Sequence, residues 1–166
     1  MAKALFVKTI EIAEYTALNG NVDVDKFKQF MWIAQELDIQ NYLGTDLYDK
    51  INDDILAGTL TGNYLTLTNE YIKPMLIHFT MVQYLPWAAY TIANQGVFKH
   101  SSENSESVSK NEVDYLIDKE LSIAKHYAKR FTDYICFESA LYPEYNTNSN
   151  GDMFPDKEVN FSNWFL

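Results

Sequence analysis

The sequence predicts an all-α protein, in which a single bundle of about five helices carries an extended N-terminal arm and an extended C-terminal tail. Three observations predict this class. Apolar residues recur at helical spacing between Gly and Pro stops, and a capping box precedes a long final helix. In addition, the stretch Pro74–Phe98 contains no Asp, Glu, Lys or Arg, although 22% of the chain is charged. With 166 residues, the chain can form one domain with a substantial core.

The composition narrows the classes of protein. An apolar content of 47% is typical of a globular chain, and 12 Tyr, 10 Phe and 3 Trp predict a dense core or wide contact surfaces. The net charge is −10 and the 13 basic residues are scattered, so direct nucleic-acid binding is not expected. The one cysteine, Cys136, excludes an internal disulfide. The first residues lack the apolar region of a signal peptide.

Residues 1–22 are predicted to form the N-terminal arm. Leu5–Tyr15 mixes apolar and charged residues and fits neither the helical nor the strand period. We therefore expect an extended segment that ends in a helical turn. Asn19-Gly20-Asn21 predicts a turn into the first helix, with a hairpin into Val22–Val24 as the alternative.

Residues 23–143 are predicted to form the helical domain, which begins with a helix pair. Asp23 is the expected N-cap of the first helix and Gly44 its C-terminal stop. Thr45 is the expected cap of the second helix, which ends at Gly58. Because one tight turn joins the two helices, they must pack against each other. The predicted buried faces are Val24, Phe27, Phe30, Met31, Ala34 and Leu37 in the first helix, and Leu47, Tyr48, Ile51 and Ile55 in the second.

Prolines divide the next part of the chain. A third helix starts near Asn63, and we expect Pro74 to break or kink it, because proline lacks the N–H and clashes with the preceding turn. Pro74–Phe98 then forms a fourth helix, which bends again at Pro86 and ends at Asn94-Gln95-Gly96.

Three interpretations of Pro74–Phe98 compete: a membrane span, the central helix of a soluble core, or a surface that contacts another subunit. The stretch is long enough for a span. However, it contains polar residues such as His78, Gln83 and Tyr84, and no Lys/Arg cluster flanks it. We therefore expect most of it to lie in the core and the remainder to contact another subunit.

A polar loop and a long helix follow. Residues 100–109 are Ser-rich and without periodicity, which predicts an exposed, mobile loop. Ser109 and Glu112 form a capping box at the start of the fifth helix, and Pro143 marks its end. The predicted buried face of this helix is Val113, Leu116, Ile117, Leu121, Ala124, Tyr127, Ala128, Phe131, Tyr134 and Ile135.

Residues 144–166 are predicted to form the extended C-terminal tail. Burial of each large apolar side chain contributes about 1.5–3 kcal/mol, whereas ordering the backbone costs roughly 1–2 kcal/mol per residue. Because these terms are comparable, we expect the tail to order by docking onto a neighbouring surface. The predicted interface residues are Met153, Phe154, Val159, Phe161, Trp164, Phe165 and Leu166.

The chain carries no motif for catalysis or for a cofactor. It has no Gly-rich phosphate loop, no Gly-x-Ser-x-Gly elbow and no Cys-x-x-Cys pair. His78, His100 and His126 are far apart in sequence and are interpreted as structural. We interpret Cys136 as a small buried hydrophobe.

One segment resembles the start of a calcium-binding loop, Asn146-x-Asn148-x-Asn150-Gly151. Its first ligand is Asn rather than Asp, and its twelfth position is Lys157 instead of Glu, so we expect a polar loop. The carboxylate pair Asp53-Asp54 is interpreted as part of a solvated helix face. We therefore assign no catalytic, cofactor-binding or metal-binding residue.

The order of these segments resembles the head–tail connector (adaptor) proteins of tailed bacteriophages, especially phages of Bacteroidetes hosts, including crAss-like ones. The resemblance covers roughly residues 5 to 143. It is carried by Trp32-Ile33-Ala34-Gln35, by Ile39-Gln40-Asn41-Tyr42-Leu43-Gly44-Thr45-Asp46-Leu47-Tyr48, by Glu70-Tyr71-Ile72-Lys73-Pro74 and by Asn94-Gln95-Gly96-Val97. The most distinctive part of the resemblance is the turn that contains Leu43, Gly44, Thr45, Leu47 and Tyr48. Pro74 and Gly96 are the other structural positions of the motif.

The resemblance implies a structural virion protein without enzymatic activity or cofactor. Such adaptors form a ring, commonly of twelve copies, between the portal and the tail or neck proteins, and DNA passes through the ring without sequence-specific binding. The expected location is the head–tail junction of the virion, and the host cytoplasm during assembly. An alternative from another class is a small helical cytoplasmic binding or regulatory protein.

Overall fold

The computed structural model of the chain describes residues 3–18, 24–88, 90–93, 96–99, 109–149 and 153–157. The predicted all-α class and the helical bundle are confirmed, with one short β-hairpin attached. In chain order, the elements are α1 (Thr9–Tyr15), α2 (Val24–Ala34), a first π-helical segment (Gln35–Ile39), α3 (Gln40–Leu43), α4 (Thr45–Ala57), α5 (Gly62–Leu67), a second π-helical segment (Thr68–Ile72), α6 (Lys73–Tyr84), a 3-10 turn (Leu85–Trp87), β1 (Tyr90–Ala93), β2 (Gly96–Lys99), α7 (Lys110–Phe137), a 3-10 turn (Ser139–Leu141) and α8 (Pro143–Thr147).

Helix α6 lies at the centre of the bundle, because it packs against both α2 and α7. Its side chains from Met75 to Ile77, together with Phe79 and Met81, are buried. The core continues into α4 through Leu47, Tyr48 and Ile51, which are buried as predicted, whereas Ile55 is partly buried. The other buried apolar residues of this core cluster are Phe6, Val7, Ile12, Phe27, Met31, Ala34, Ile39, Leu43, Leu67, Ile72, Ala124, Ala128, Phe131, Ile135, Tyr142 and Tyr145.

The N-terminal arm is built into the core. Residues 3–8 are non-helical, with a bend at Phe6 and Val7, and Thr9–Tyr15 forms helix α1, which is longer than the predicted helical turn. Phe6 and Val7 are both buried, although they are adjacent in the sequence. In a strand with one face in solvent, adjacent side chains point to opposite faces, so only one of the two would be buried. The buried Gln35 side chain fixes this segment. Its Oε1 accepts from Phe6 N–H at 2.9 Å, and its Nε2 donates to Ala4 O at 2.9 Å and to Tyr48 Oη at 2.9 Å.

The first long helix contains a π-helical segment that the sequence did not predict. Gln40 N–H donates to Gln35 O, five residues earlier, so the segment contains one residue more than an α-helical turn. This extra residue rotates the following side chains around the helix axis. Leu37 is therefore 60% exposed, in contrast to the prediction, and Ile39 takes the buried position.

Of the two predicted outcomes at Pro74, a break or a kink of the helix, the break does not occur. The helical path runs from Gly62 to Tyr84 through the second π-helical segment. Lys73 N–H donates to Thr68 O, five residues earlier. This wider turn ends immediately before Pro74, where an α-helix would bring the proline ring against a carbonyl of the preceding turn. The π-helical segment thus accommodates the proline without a break.

The prediction that Pro74–Phe98 is one helix was wrong. Helix α6 ends at Tyr84, and the chain continues through the 3-10 turn that contains Pro86 into the hairpin β1–β2. The strands pair antiparallel, with Ala93 opposite Gly96. The α6 part is mostly buried, whereas Trp87 is 49% exposed and Tyr90 is 48% exposed.

Helix α7 starts as predicted. Ser109 N–H donates to Glu112 Oε2 at 2.8 Å, and Glu112 N–H donates to Ser109 Oγ at 3.4 Å, so the capping box is confirmed. The helix ends at Phe137, earlier than predicted, and Pro143 begins α8. The predicted buried face is formed from Ala124 onwards, whereas Leu116 is exposed.

Several predicted features lie outside the described residues. These are the turn at Asn19-Gly20-Asn21, the N-cap Asp23, the turn residues Asn94 and Gln95, and the loop 100–108. Within the described ranges, no helix combines the length and apolarity that crossing a membrane requires.

Candidate interaction site

The turn that carries most of the resemblance is the junction between α3 and α4. Gly44 adopts φ 72° and ψ 166°, a conformation that is nearly restricted to glycine. A Cβ atom at this position would lie 2.6 Å from Pro155 Cδ and 2.9 Å from Asn148 Oδ1. Gly44 is therefore required both by the backbone conformation and by the close approach of the C-terminal segment.

Asn148 connects this junction to the C-terminal segment. Its side chain is buried, and its φ of 35° is the one positive value among the described non-glycine residues. Oδ1 accepts from Asp46 N–H at 3.0 Å, and Nδ2 donates to Met153 O at 2.8 Å. Asn148 thus caps the N-terminus of α4, the role that the sequence assigned to Thr45.

Thr45 instead binds the C-terminal segment, residues 153–157. Its backbone N–H donates to Met153 O at 3.0 Å, and its Oγ1 accepts from Met153 N–H at 3.2 Å. Farther along, Asp156 N–H donates to Asn41 O at 2.7 Å. Together with Gly44 and Asn148, these bonds form what we call the C-terminal clamp.

The C-terminal clamp shows that part of the predicted extended tail, residues 144–166, docks onto its own chain. Residues 143–147 form α8, whose Tyr145 is buried, and residues 153–157 dock onto the same chain. Met153 is half-buried in the clamp, and the side chain of Phe154 is 73% exposed. The remaining predicted interface residues, which are Val159, Phe161, Trp164, Phe165 and Leu166, lie outside the described residues.

A first surface groove, called the Lys73 groove, lies where α1 meets the start of α6. Its volume is about 420 Å³, and its lining combines apolar and charged side chains. Lys73 Nζ lies 2.7 Å from Glu11 Oε1, and His78 Nδ1 lies 2.7 Å from Glu120 Oε2. The lining residues are Glu11, Tyr15, Asn69, Glu70, Lys73, Pro74, Ile77, His78 and Tyr127.

A second groove, called the Phe154 groove, lies beside the C-terminal clamp. Its volume is about 460 Å³. Tyr42 and Phe79 form part of its apolar lining, with ring centroids 6.2 Å apart. The lining residues are Asp38, Asn41, Tyr42, Phe79, Leu121, Lys125, Phe154 and Asp156.

The two grooves lie on opposite sides of the α6–α7 pair. Residues two apart on a helix point about 200° apart around its axis. In α6, Ile77 lines the Lys73 groove and Phe79 lines the Phe154 groove. In α7, Tyr127 lines the Lys73 groove and Lys125 lines the Phe154 groove. Each molecule therefore presents two different concave surfaces that face away from each other.

One carboxylate in each groove has a shifted pKa. Burial alone would raise the pKa of Glu11, but hydrogen bonds from Lys73 and from Lys8 N–H outweigh burial and lower it. Burial raises the pKa of Asp38, and the hydrogen bond from Gln83 opposes that rise only in part. Glu11 thus stays ionised as the partner of Lys73, which identifies the pair as a stable part of the Lys73 groove.

The histidines and the cysteine do not form a common site. His78 pairs with Glu120 and stacks on Tyr127, with ring centroids 5.5 Å apart and an interplanar angle of 6°. His126 is exposed, and His100 lies outside the described residues. Cys136 is exposed, which corrects its predicted burial. No group of three or more His, Cys, Asp or Glu in the described part of the chain is arranged to hold a metal ion.

The structure therefore brings together only some of the predicted positions. The turn Leu43–Tyr48 meets Met153 and Pro155 at the clamp. Of the other motif positions, Pro74 lines the opposite groove and Gly96 belongs to the hairpin. The sequence interpretation missed Asn148 as a clamp residue. A usable signal existed, because Asn is the non-glycine residue that most readily adopts positive φ.

Comparison with known proteins adds a family. No curated protein and no solved structure matches the sequence. A family model, described as a family of unknown function (DUF6712), matches residues 39–155, which is more than two thirds of the chain. The matched region includes the Gly44 junction, α6, α7 and the first residues of the C-terminal segment. The chain belongs to this family of unknown function, DUF6712.

Proposed function

We propose that this protein is a structural virion protein that forms a ring at the head–tail junction of a tailed phage. In this proposal, the ring joins the portal to tail or neck proteins, and its twelve copies extend the channel through which DNA passes. The protein has no enzymatic role, binds no cofactor and acts away from membranes. It reaches the virion from the host cytoplasm during assembly.

The observation that carries the proposal is the pair of different grooves on opposite sides of the α6–α7 pair. A closed ring is built from heterologous contacts, in which one surface of a subunit meets a different surface of the next. An isologous dimer would need only one self-complementary surface. Two distinct surfaces that face away from each other therefore favour a ring.

Exposed apolar side chains near both grooves add support. Tyr15 on α1 lines the Lys73 groove and is 68% exposed. On the other side, Phe154 is 73% exposed. Large apolar and aromatic side chains of this kind are enriched where proteins form lasting contacts.

The charge suits a channel through which DNA must move. A net charge of −10 gives a surface that repels phosphate, so DNA would slide without being held. This property supports the proposal only together with the resemblance and the two grooves, because acidity by itself also favours solubility.

Mass spectrometry of purified particles tests the proposal. We expect this chain in the particles at a fixed ratio to the portal protein. Its absence from the particles would contradict the proposal. A discrete complex of low stoichiometry with one cytoplasmic partner would instead favour the alternative of a small binding or regulatory protein.

A further inference from the structure

We propose that the Lys73 groove of one copy receives residues 158–166 of the neighbouring copy. This inference rests on the proposed ring, and it names the two surfaces that join adjacent subunits. The donor is the segment that follows the C-terminal clamp, and the acceptor is the groove on the opposite side of the α6–α7 pair.

The clamp fixes where the donor segment begins. Thr45 and Asn41 hold Met153 and Asp156 through backbone hydrogen bonds, so the chain leaves the domain at the Phe154 groove. The nine residues 158–166, EVNFSNWFL, include five large apolar residues. An extended chain of this length reaches at most about 30 Å. Donor side chains can therefore reach an adjacent molecule while residues 153–157 stay clamped.

The acceptor groove has a suitable size and lining. Its volume of about 420 Å³ lies in the range of pockets that enclose a ligand of several large groups. Pro74, Ile77 and Tyr127 offer apolar contacts, and Tyr15 stands 68% exposed at the side. In the polar rim, Lys73 pairs with Glu11, and Glu70 adds an exposed carboxylate. An aromatic, nearly uncharged peptide therefore fits this groove better than an acidic one.

The opposite placement of the two grooves favours exchange between copies. A donor segment that turned back into its own Lys73 groove would have to pass over the exposed face of α7. Between residues 122 and 130, the exposed side chains of α7 are Lys125, His126, Lys129 and Arg130 together with Ser122 and Ile123, so polar and charged groups predominate on the path of such a segment. In a ring of heterologous contacts, by contrast, the Phe154 side of one copy faces the Lys73 side of the next.

Photocrosslinking in the full-length chain tests this inference. One population carries Phe161→p-benzoylphenylalanine, and a second population, labelled with heavy isotopes, carries no crosslinker. We mix them at the highest soluble concentration, irradiate, and identify crosslinked peptides by mass spectrometry. The expected product joins residue 161 of the unlabelled chain to the segments around Tyr15 or Asn69–His78 of the labelled chain.

A matched pair of variants in the labelled chain sharpens the test. Tyr15→Ala should lower the yield of this inter-chain product by about tenfold, as expected for the loss of one large aromatic contact. Tyr115→Ala removes an equally exposed tyrosine (60% against 68%) on α7, away from the groove, and should leave the yield unchanged. Circular dichroism of both variants verifies that the helical fold is retained.

Three results would overturn the inference: crosslinks confined to one chain, inter-chain crosslinks to the Phe154 groove or elsewhere, or no inter-chain product at all. The outcome is independent of the test by particle analysis. Particles that contain the protein while the crosslink is missing would leave the proposed ring standing without this contact. The expected crosslink in a protein absent from particles would keep the contact and refute the virion function.

Discussion

Two non-helical segments near the ends of the chain dock onto the same helical domain in different ways. Residues 3–8 are held by apolar burial of Phe6 and Val7 and by the buried amide of Gln35. Residues 153–157 are held mainly by backbone hydrogen bonds to the Gly44 junction, and Phe154 remains 73% exposed. The first segment belongs to the core, whereas the second rests on the surface and leads away from it.

The difference predicts separate roles for the two segments, with the first contributing to stability and the second to the proposed assembly. Burying Phe6 and Val7 contributes about 1.5–3 kcal/mol for each side chain, so the N-terminal segment should unfold only together with the domain. The C-terminal clamp buries little apolar surface and should open at lower cost. A clamp of this kind can position a following segment for a partner without being essential to the fold.

The largest expected effect is at the N-terminal segment. Gln35→Ala leaves Phe6 N–H, Ala4 C=O and the Tyr48 hydroxyl without their buried partner, so the free energy of unfolding should fall by about 3 kcal/mol. Urea denaturation measures this change. The control Gln29→Ala, at an exposed position of α2, should change stability by less than about 0.5 kcal/mol. Equal effects of the two variants would contradict the distinct role of Gln35.

The next largest effect is expected at the clamp. In Gly44→Ala, the new Cβ would lie 2.6 Å from Pro155 Cδ, and the backbone conformation also disfavours a side chain. We expect a loss of about 2 kcal/mol, together with faster hydrogen exchange at the Met153 amide. Gly58→Ala is the matched control, because φ is 68° there but no atom lies within 4 Å. It should cost about 1 kcal/mol and leave exchange at Met153 unchanged; accelerated exchange in this control would contradict the account.

A smaller effect separates the two bonds of Asn148. Asn148→Gly keeps the positive φ but removes the cap of α4, which should cost about 1 kcal/mol. Asn148→Asp keeps the acceptor for Asp46 N–H and replaces the donor to Met153 O by a carboxylate oxygen. We expect hydrogen exchange to accelerate at both Asp46 and Met153 in the glycine variant, and only at Met153 in the aspartate variant. The same exchange pattern in both would show that cap and clamp are not separable.

The smallest expected effect is a pH dependence at α1, which follows the N-terminal segment. The pKa of Glu11 is lowered in the folded state from its ordinary value of 4.5. Its contribution is therefore present above pH 4.5 and is lost as the pH falls through the lower folded-state pKa. At neutral pH, Glu11→Gln should lose about 0.5 kcal/mol, and the difference from the unchanged protein should vanish in acid. A difference that grows in acid would contradict this assignment.

The sequence predicted the local features of the fold well. The capping box at Ser109, the stops at Gly44 and Gly58 and most of the buried stripe of α4 depend on neighbouring residues, and the structure confirms them. The errors arose where the helical period changes. The first π-helical segment adds one residue to a turn and has no marker in the composition, so Leu37 was wrongly predicted to be buried. The second π-helical segment allows Pro74 to lie within a continuous helical path.

The interaction site was predictable only in part. Phe154 was predicted to be an interface residue because it is one of the large apolar side chains of the tail. The C-terminal clamp beside it depends on contacts between residues that are about a hundred positions apart in the chain. Likewise, Gln35 was not among the residues predicted to be buried, and its burial depends on contacts with the N-terminal segment. Such pairs of distant polar groups carry no local signal. The Lys73 groove was not foreseen, because α1 had no clear helical period.

A cryo-electron microscopy reconstruction of the portal vertex in purified particles tests the central proposal most directly. The account predicts a closed ring beneath the portal, in which copies of this helical domain contact each other through opposite sides of the α6–α7 pair. A junction assembled without this chain would contradict it. So would a ring in which both grooves face solvent, because the two surfaces would then not be the contacts that join the copies.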